Sequence, residues 1–379
     1  MRYLVVGLGN IGGRRRALLG EHCVATADPF NAAADYRSVR DVPVDTFDAA
    51  VLAIPDDDKI DLVTYLLEQG KHVLVEKPLP LPDEETAQRL ESLARSRGLL
   101  LYTAYNHRYE PLLSAFQEQV AAGTIGEVYH GRLFYGNGTV KHVAGTWRDQ
   151  GLGVISDLGC HLLDLLAFVE VAPSTLPWGP SIPTAPQPPP IMPSSEFAGL
   201  RRCAPMGPPP LRGANIGCAN VPTACAGEGE TSDLPPSPAA GGGVGGRGYL
   251  EMRLGAAQSI ESKAPDRALI VSADGKFTLE VMYHSWRNSF AFELYGEKGS
   301  IHCLGLRKWG GSELIVRKRV LPSGRPEERR QTDEGPDVTW EREVEHFERL
   351  CQAGTTDLST DWWIARTLRG LEAELGGKQ

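Results

Sequence analysis

Apolar runs and helical patterns alternate along the first third of the chain. A short apolar run at 3–6 passes directly into a glycine-rich turn, and a helical pattern follows it. Later apolar runs lie at 23–27, 49–54, 72–75 and 99–103, and helical patterns lie at 60–68, 82–97 and 112–122. Strands that alternate with helices are typical of an α/β protein, so we predict a doubly wound parallel sheet over residues 1–122.

The pattern changes beyond Gly123. Longer runs, in which apolar and polar residues alternate, predict strands at 126–135, 268–271, 277–286, 290–295 and 300–303. Amphipathic helices are predicted at 340–351 and 361–375. We therefore expect residues 123–379 to form a second, α+β domain with a mostly antiparallel open sheet, which binds substrate and forms oligomers.

A segment rich in proline and glycine, 173–258, interrupts this second domain. Positions 173–248 hold 17 of the 28 prolines and 13 of the 42 glycines, without sustained periodicity. Such a composition buries too little apolar surface to offset the entropy of ordering it. Two interpretations stay open. The segment is either a disordered insertion that presents a proline-rich ligand or a stretch read out of frame, and the abrupt return of alternation near Glu261 favours the second.

The glycine-rich turn has the spacing of a Rossmann dinucleotide-binding motif. Gly7 allows a tight turn, Gly9 lets a pyrophosphate approach the backbone, and Gly12 lets the helix pack against the strand. The phosphates would then accept hydrogen bonds from amides at the helix N-terminus. The sequence therefore predicts a nicotinamide dinucleotide as cofactor.

The second predicted strand ends at Asp28, 21 positions after Gly7. An acidic side chain at this distance binds a ribose hydroxyl and repels a 2′-phosphate, which favours NAD over NADP. Arg14 and Arg37 lie nearby and weaken the preference, so NADP is not excluded. The expected cofactor contacts are Gly7, Gly9, Asn10, Ile11, Gly12, Asp28, Pro55, Glu76, Lys77 and Asn106.

Composition and charge narrow the other possibilities. The net charge is -9 and no basic stripe is present, which argues against a nucleic-acid partner. We interpret Arg14, Arg15 and Arg16 as a solvated helix face. The sequence has no apolar run long enough to span a membrane, and it has no Cys-x-x-Cys pair. We expect a cytoplasmic protein with reduced cysteines and no bound metal.

Two groups of side chains are candidates for chemistry. Lys77 follows a predicted buried strand, where doubly wound sheets bind ligands, and Glu76 is its predicted structural partner. Asp157, His161 and Asp164 are spaced to share one helix face. A carboxylate beside an imidazole can raise the imidazole pKa and prepare the ring to accept a proton, although a capping or surface pair has the same spacing.

Four motifs, in this order along the chain, resemble the Gfo/Idh/MocA family of oxidoreductases. They are Gly7-x-Gly9-x-x-Gly12, Glu76-Lys77-Pro78, Asn106-His107-Arg108-Tyr109-x-Pro111 and Asp157-x-Gly159-x-His161-x-x-Asp164. The resemblance covers residues 1–172 and 258–379. It implies an N-terminal Rossmann domain, a homodimer or homotetramer, and a strand after the helix that contains His161. Because the low-complexity segment stands at that place, we expect the second sheet to lose this strand.

The resemblance also implies residue roles. His161 would be the general base, Asp157 its orienting and relay partner, and Lys77 the positioning and electrostatic group. The substrate would be a small polyol or sugar, whose predicted contacts are Lys77, Arg108, Trp147, Arg148, Asp157 and His161. Hydride transfer between NAD(P) and a secondary alcohol is the leading hypothesis. The alternatives are an NAD-dependent glycoside hydrolase of the same family and a non-catalytic NAD-binding protein or inactive gene product.

Overall fold

A parallel sheet of five strands forms the N-terminal part of the fold. The computed structural model describes residues 1–170, 249–353 and 355–377. The strands lie in the order β2-β1-β3-β4-β5. Their bounds are Tyr3–Val6 (β1), Cys23–Ala27 (β2), Ala49–Leu52 (β3), His72–Glu76 (β4) and Leu101–Ala104 (β5). The connecting helices are Asn10–Leu19 (α1), Lys59–Glu68 (α2) and Glu84–Ser96 (α3). The predicted doubly wound sheet is confirmed.

The central strands of this sheet are apolar throughout because helices cover both faces. All four residues of β1 and of β3 are buried. A strand buried on both faces reads as a continuous apolar run, which explains why the pattern was clear in the sequence. The carboxyl ends of β1, β3 and β4 therefore meet at one edge of the sheet, where the glycine turn and Lys77 lie.

A mixed sheet of eight strands follows, in the order β13-β12-β11-β10-β6-β9-β8-β7. Among the described strands of this sheet, the β6–β9 pair is parallel and the other pairs are antiparallel. The strands are Val128–Gly136 (β6), Met252–Gln258 (β7), Arg267–Ser272 (β8), Phe277–Met282 (β9), Ser289–Gly296 (β10), Gly299–Leu306 (β11), Gly311–Lys318 (β12) and Glu328–Asp333 (β13). The predicted α+β class with a mostly antiparallel sheet is confirmed.

Five helices complete the described fold. They are Pro111–Ala121 (α4), Val140–Val143 (α5), Cys160–Glu170 (α6), Thr339–Ala353 (α7) and Ser359–Gly376 (α8). A π-helical turn, Ile155–Gly159, leads directly into α6. Side chains alternate between buried and half-buried along β9, and its buried face joins one apolar core with α4 and α6. The site residues of α6 are thus attached to a packed core.

The expectation that the second sheet loses a strand is wrong. Residues Met252–Gln258 form β7, which pairs antiparallel with β8 at the end of the sheet. This strand also lies within the last residues assigned above to the low-complexity segment. The rest of that segment, with both proline runs, lies outside the described residues. Within the described ranges, no helix has the length and apolarity that crossing a lipid bilayer requires.

Helix α7 returns to the parallel sheet. Phe347 is fully buried, and its ring centroid lies 6.4 Å from that of Tyr3 and 6.5 Å from that of Tyr102. The start of α8 also contacts this part of the fold, since Leu358 and Ala365 belong to a core cluster with Leu52. Both helices therefore help to cover the N-terminal sheet. The proposed division at residues 122 and 123 stays a prediction.

Candidate active site

The glycine turn between β1 and α1 is shaped for a dinucleotide. Gly7 has φ +84°, and a Cβ on Gly12 would lie 1.7 Å from the Gly7 carbonyl oxygen. A Cβ on Gly9 would instead meet nothing within 4 Å, so the space over this residue is open. Within the described ranges no side chain caps α1, which leaves its first amides available to a phosphate. These features fit a bound dinucleotide.

Asp28 connects this turn to the end of β2. Its carboxylate accepts hydrogen bonds from the backbone N–H of Leu8 at 2.7 Å, and of Phe30 and Asn31 at 2.8 Å. Burial opposes the charge of Asp28, but these amides and the nearby Arg37 hold its pKa below the ordinary value. The carboxylate is thus fixed and charged beside the glycine turn, and its contact with a ribose stays a prediction.

Arg15 corrects the interpretation of the arginine cluster as a solvated face. Its side chain is 1 % exposed, and it donates to the Glu76 carboxylate at 2.7 Å and 2.9 Å. A second carboxylate, on Glu343 of α7, lies 2.7 Å from it. Arg15 faces inward because it shares the buried side of α1 with Gly12 and Leu19. Glu76 therefore pairs with Arg15 and not with Lys77.

Lys77 and Asp157 meet across 80 positions of sequence. The Lys77 ammonium donates to the Asp157 carbonyl oxygen at 2.8 Å and to Oδ1 at 3.2 Å. The other carboxylate oxygen accepts from the Tyr283 hydroxyl at 3.0 Å and lies 3.3 Å from Arg148 Nε. Burial opposes the charge of Asp157, but Lys77, Arg148 and Tyr283 outweigh it and lower its pKa. Burial also opposes the Lys77 ammonium, yet Cys160 and Asp157 beside it raise its pKa.

His161 lies one turn further along the chain and stacks on His107. The ring centroids are 4.3 Å apart, and the rings are nearly parallel at 18°. His107 Nε2 lies 3.3 Å from the Tyr135 hydroxyl, which also accepts from Lys308 Nζ at 3.0 Å. His161 Nδ1 is buried and has no hydrogen-bond partner among the described residues.

The expected effect of Asp157 on the His161 imidazole is wrong. The Asp157 carboxylate faces Lys77, Tyr283 and Arg148, and no hydrogen bond joins it to His161 among the described residues. Burial, followed by the charges of His107, Lys77 and Lys308, lowers the pKa of His161 well below the ordinary value. The neutral form of the imidazole is therefore favoured.

Each residue of the Asn106-His107-Arg108 motif forms a hydrogen bond with another part of the fold. Arg108 binds both carboxylate oxygens of Asp164, a residue that is 1 % exposed. Asn106 donates to the Thr339 hydroxyl at 2.9 Å and lies 2.9 Å from His107 Nδ1. Asp164 is therefore paired with Arg108, whereas Asp157 is paired with Lys77. The predicted ligand contacts of Asn106 and Arg108 stay predictions.

Three other predicted site residues, Asn10, Ile11 and Pro55, lie near the glycine turn and the end of β3. Asn10 is exposed at the start of α1, Ile11 is half-buried beside it, and Pro55 is exposed just beyond β3. The side chain of Trp147 lies outside the described residues. Within the described part of the chain, no group of His, Cys, Asp or Glu is arranged to hold a metal ion.

Two residues of this region were missed by the sequence analysis. Tyr283 lies just after β9, and no local pattern connects a tyrosine there with an aspartate 126 positions earlier. Lys59 is 1 % exposed and donates to the carbonyl oxygens of Glu76 and Pro78. The sequence did indicate the burial of Lys59. Lys59 and Val63 are four positions apart, so they share one face of α2, and that face is buried.

Comparison with known proteins agrees with this geometry. Residues 1–105 match the model of the GFO/IDH/MocA oxidoreductase family with an NAD-binding Rossmann fold, and residues 113–174 match the GFO/IDH/MocA C-terminal domain. Over residues 1–105 and 113–174 the chain therefore carries the two domains of the GFO/IDH/MocA family of oxidoreductases, and residues 1–105 form an NAD-binding Rossmann domain. The predictions of the family and of NAD as cofactor are confirmed.

Individual relatives cover parts of the chain. An uncharacterized oxidoreductase, YdgJ from Escherichia coli, is 31% identical over 151 residues, which are 37% of this chain and 43% of that protein. A 1,5-anhydro-D-fructose reductase from Ensifer adhaerens is 36% identical over 107 residues, 27% of this chain and 32% of that protein. The chain thus spans less than half the length of these relatives.

Solved structures match over a greater length. A levoglucosan dehydrogenase in complex with NADH superposes with a TM-score of 0.66 over 100% of this chain and 97% of that chain, at 14% identity. This similarity establishes the fold.

Proposed function

We propose that this protein is an NAD(P)-dependent dehydrogenase that acts on a secondary alcohol of a sugar, cyclitol or nucleotide-linked sugar. The open space over Gly9 and the uncapped start of α1 support cofactor binding. The named relatives support the substrate class, because two of them are a 1,5-anhydro-D-fructose reductase and a levoglucosan dehydrogenase. The nicotinamide, when bound, supplies the carbon that accepts or gives the hydride.

The roles of the side chains follow from charge and burial. His161 carries the proposal, because its neutral imidazole has a buried nitrogen without a partner among the described residues. It takes the proton of the substrate hydroxyl. Lys77 binds the same oxygen and stabilises the negative charge that develops on it. Asp157 holds the ammonium in place, and Arg148 lies beside Asp157 with 37 % of its side chain exposed, where it can contact the substrate.

The test is a comparison of cofactor binding with turnover. Lys77→Ala and His161→Ala should each leave NAD affinity within about twofold of wild type and lower kcat by about 100-fold or more on a panel of polyols and sugars. Lys318→Ala and His22→Ala remove exposed side chains and should change neither quantity. Full turnover by both site variants would refute the roles assigned here.

The same assay separates the alternative functions. Cleavage of a glycoside without net NADH would identify a glycoside hydrolase, and NAD binding without turnover would identify a non-catalytic protein. The cytoplasmic location and a homodimeric or homotetrameric assembly stay predictions.

A further inference from the structure

A buried lysine lies beneath the Glu76-Lys77-Pro78 turn. Lys59 is on the first turn of α2, and its side chain is 2 % exposed. Its ammonium donates to the Glu76 carbonyl oxygen at 2.6 Å and to the Pro78 carbonyl oxygen at 2.9 Å, and it lies 2.7 Å from Asp56 Oδ1. All three N–H groups of the ammonium therefore have an acceptor.

The two carbonyl oxygens flank Lys77 on both sides. Glu76 is the last residue of β4, so the sheet pairing that would hold the following backbone ends there. A single ammonium that binds the residue before and the residue after Lys77 fixes the position of the Lys77 backbone. The side chain of Lys77 must then reach across to Asp157, and a displaced backbone would move the ammonium away from it.

Burying an ammonium is costly, so its retention at this position requires compensation. Burial lowers the pKa of Lys59, and the charge of Lys77 lowers it further, while Asp56 and Glu76 raise it. The Asp56 carboxylate is 46 % exposed and provides the counter-charge from the surface side. An apolar residue would avoid the desolvation of the ammonium, but it would leave two buried carbonyl oxygens without these hydrogen bonds.

We infer that Lys59 is a positioning residue of the active site, which holds the backbone of Lys77 so that its ammonium stands beside Asp157 and the substrate oxygen. The inference rests on the proposed function, in which Lys77 binds the substrate. It assigns to Lys59 no contact with the substrate. Its effect should therefore be on turnover and not on cofactor affinity, and it should vanish when Lys77 is absent.

The test is a double-mutant cycle with a matched control. Lys59→Met should lower kcat by about 10-fold to 100-fold, since a displacement near 1 Å costs about this much, with NAD affinity within twofold of wild type. In a Lys77→Ala background, Lys59→Met should lower kcat no further. Lys71→Met is the control, because Lys71 also donates to a backbone carbonyl oxygen, that of Phe47 at 2.8 Å, away from the site.

The outcomes separate the two proposals. If Lys77→Ala keeps full turnover, the role proposed for Lys77 fails, and the inference about Lys59 fails with it. If Lys77→Ala is inactive while Lys59→Met turns over within twofold of wild type, the inference about Lys59 fails alone. The inference would also be overturned if Lys59→Met lowered kcat equally in the wild-type and Lys77→Ala backgrounds, or if it lowered NAD affinity in parallel with kcat. Should Lys59→Met not fold, Lys59→Gln keeps two N–H donors and is judged by the same criteria.

Discussion

Asp157 contacts several other residues of the candidate site. It binds Lys77 through its backbone and its carboxylate, and its second oxygen faces Tyr283 and Arg148. Among the described residues, the carboxylate therefore contacts two cations and a hydroxyl group. Burial, followed by the neighbouring positive charges, lowers the pKa of His161.

Replacing Tyr283 with phenylalanine should shift the pH dependence of turnover. The variant loses the hydroxyl that donates to Asp157, so the pKa of this carboxylate should rise and it should become protonated at higher pH. A hydrogen bond to a charged group contributes about 1.5–3 kcal/mol, which corresponds to a shift of about one pH unit or more. The acidic limb of the kcat/KM profile should move upward by this amount.

The control for this measurement is Tyr129→Phe. Tyr129 lies on β6 with 54 % of its surface exposed, and its replacement should leave the profile unchanged. A Tyr283→Phe profile that superposes on that of wild type would show that Asp157 ionisation does not limit turnover.

Among the elements, the π-helical turn before α6 holds Asp157, while His161 and Asp164 lie on α6. A regular α-helix would place Asp157, His161 and Asp164 on one face. In the structure the π turn covers Ile155–Gly159, and Asp157 binds Lys77, His161 stacks on His107, and Asp164 binds Arg108. Such turns often occur at functional sites, but apolar periodicity in a sequence does not distinguish them from ordinary helix.

The start of α1 offers a direct test of cofactor approach. Gly9→Ala adds a methyl group into space that is empty within 4 Å, so folding stability should not fall. A bound pyrophosphate requires that space, so the NAD dissociation constant should rise by at least about 10-fold. Calorimetric titration with NAD and urea unfolding measure the two effects.

Gly13→Ala is the matched control for this position. A Cβ on Gly13 also meets nothing within 4 Å, and alanine favours helix there, so stability and NAD affinity should be retained. Unchanged NAD affinity in Gly9→Ala would exclude close approach of the pyrophosphate to this residue.

At the scale of the whole molecule, helix α7 packs against the parallel N-terminal sheet. Phe347 of α7 packs against Tyr3 and Tyr102 of the parallel sheet, and the Tyr3 hydroxyl donates to Glu348 at 2.9 Å. Arg15 adds a buried ion pair to Glu343. The stability of the NAD-binding sheet should therefore depend on residues more than 300 positions away.

Phe347→Ala should lower the free energy of unfolding by about 3–5 kcal/mol, because it leaves a cavity between α7 and the sheet. Phe30→Ala makes the same substitution at a ring that is 94 % exposed and should change stability by less than about 0.5 kcal/mol. Urea unfolding followed by circular dichroism compares them. Equal stabilities of the two variants would show that α7 does not support the sheet.

Local pattern was sufficient for the fold class, the glycine turn and the family. The apolar runs of β1 and β3 and the alternation along β9 are each properties of neighbouring residues, so they are visible without coordinates. Lys77, Asp157 and His161 could also be selected as candidates, because each lies in a short motif.

The partners of these residues depended on contacts between distant parts of the chain. Tyr283 meets Asp157 across 126 positions, Lys59 meets Pro78 across 19, and Arg15 turns inward to Glu76 across 61. A charge or hydroxyl looks the same in a sequence whether water or a buried carboxylate surrounds it. Which groups are charged, buried or free to bind substrate is therefore decided by the packing of the two sheets and their helices.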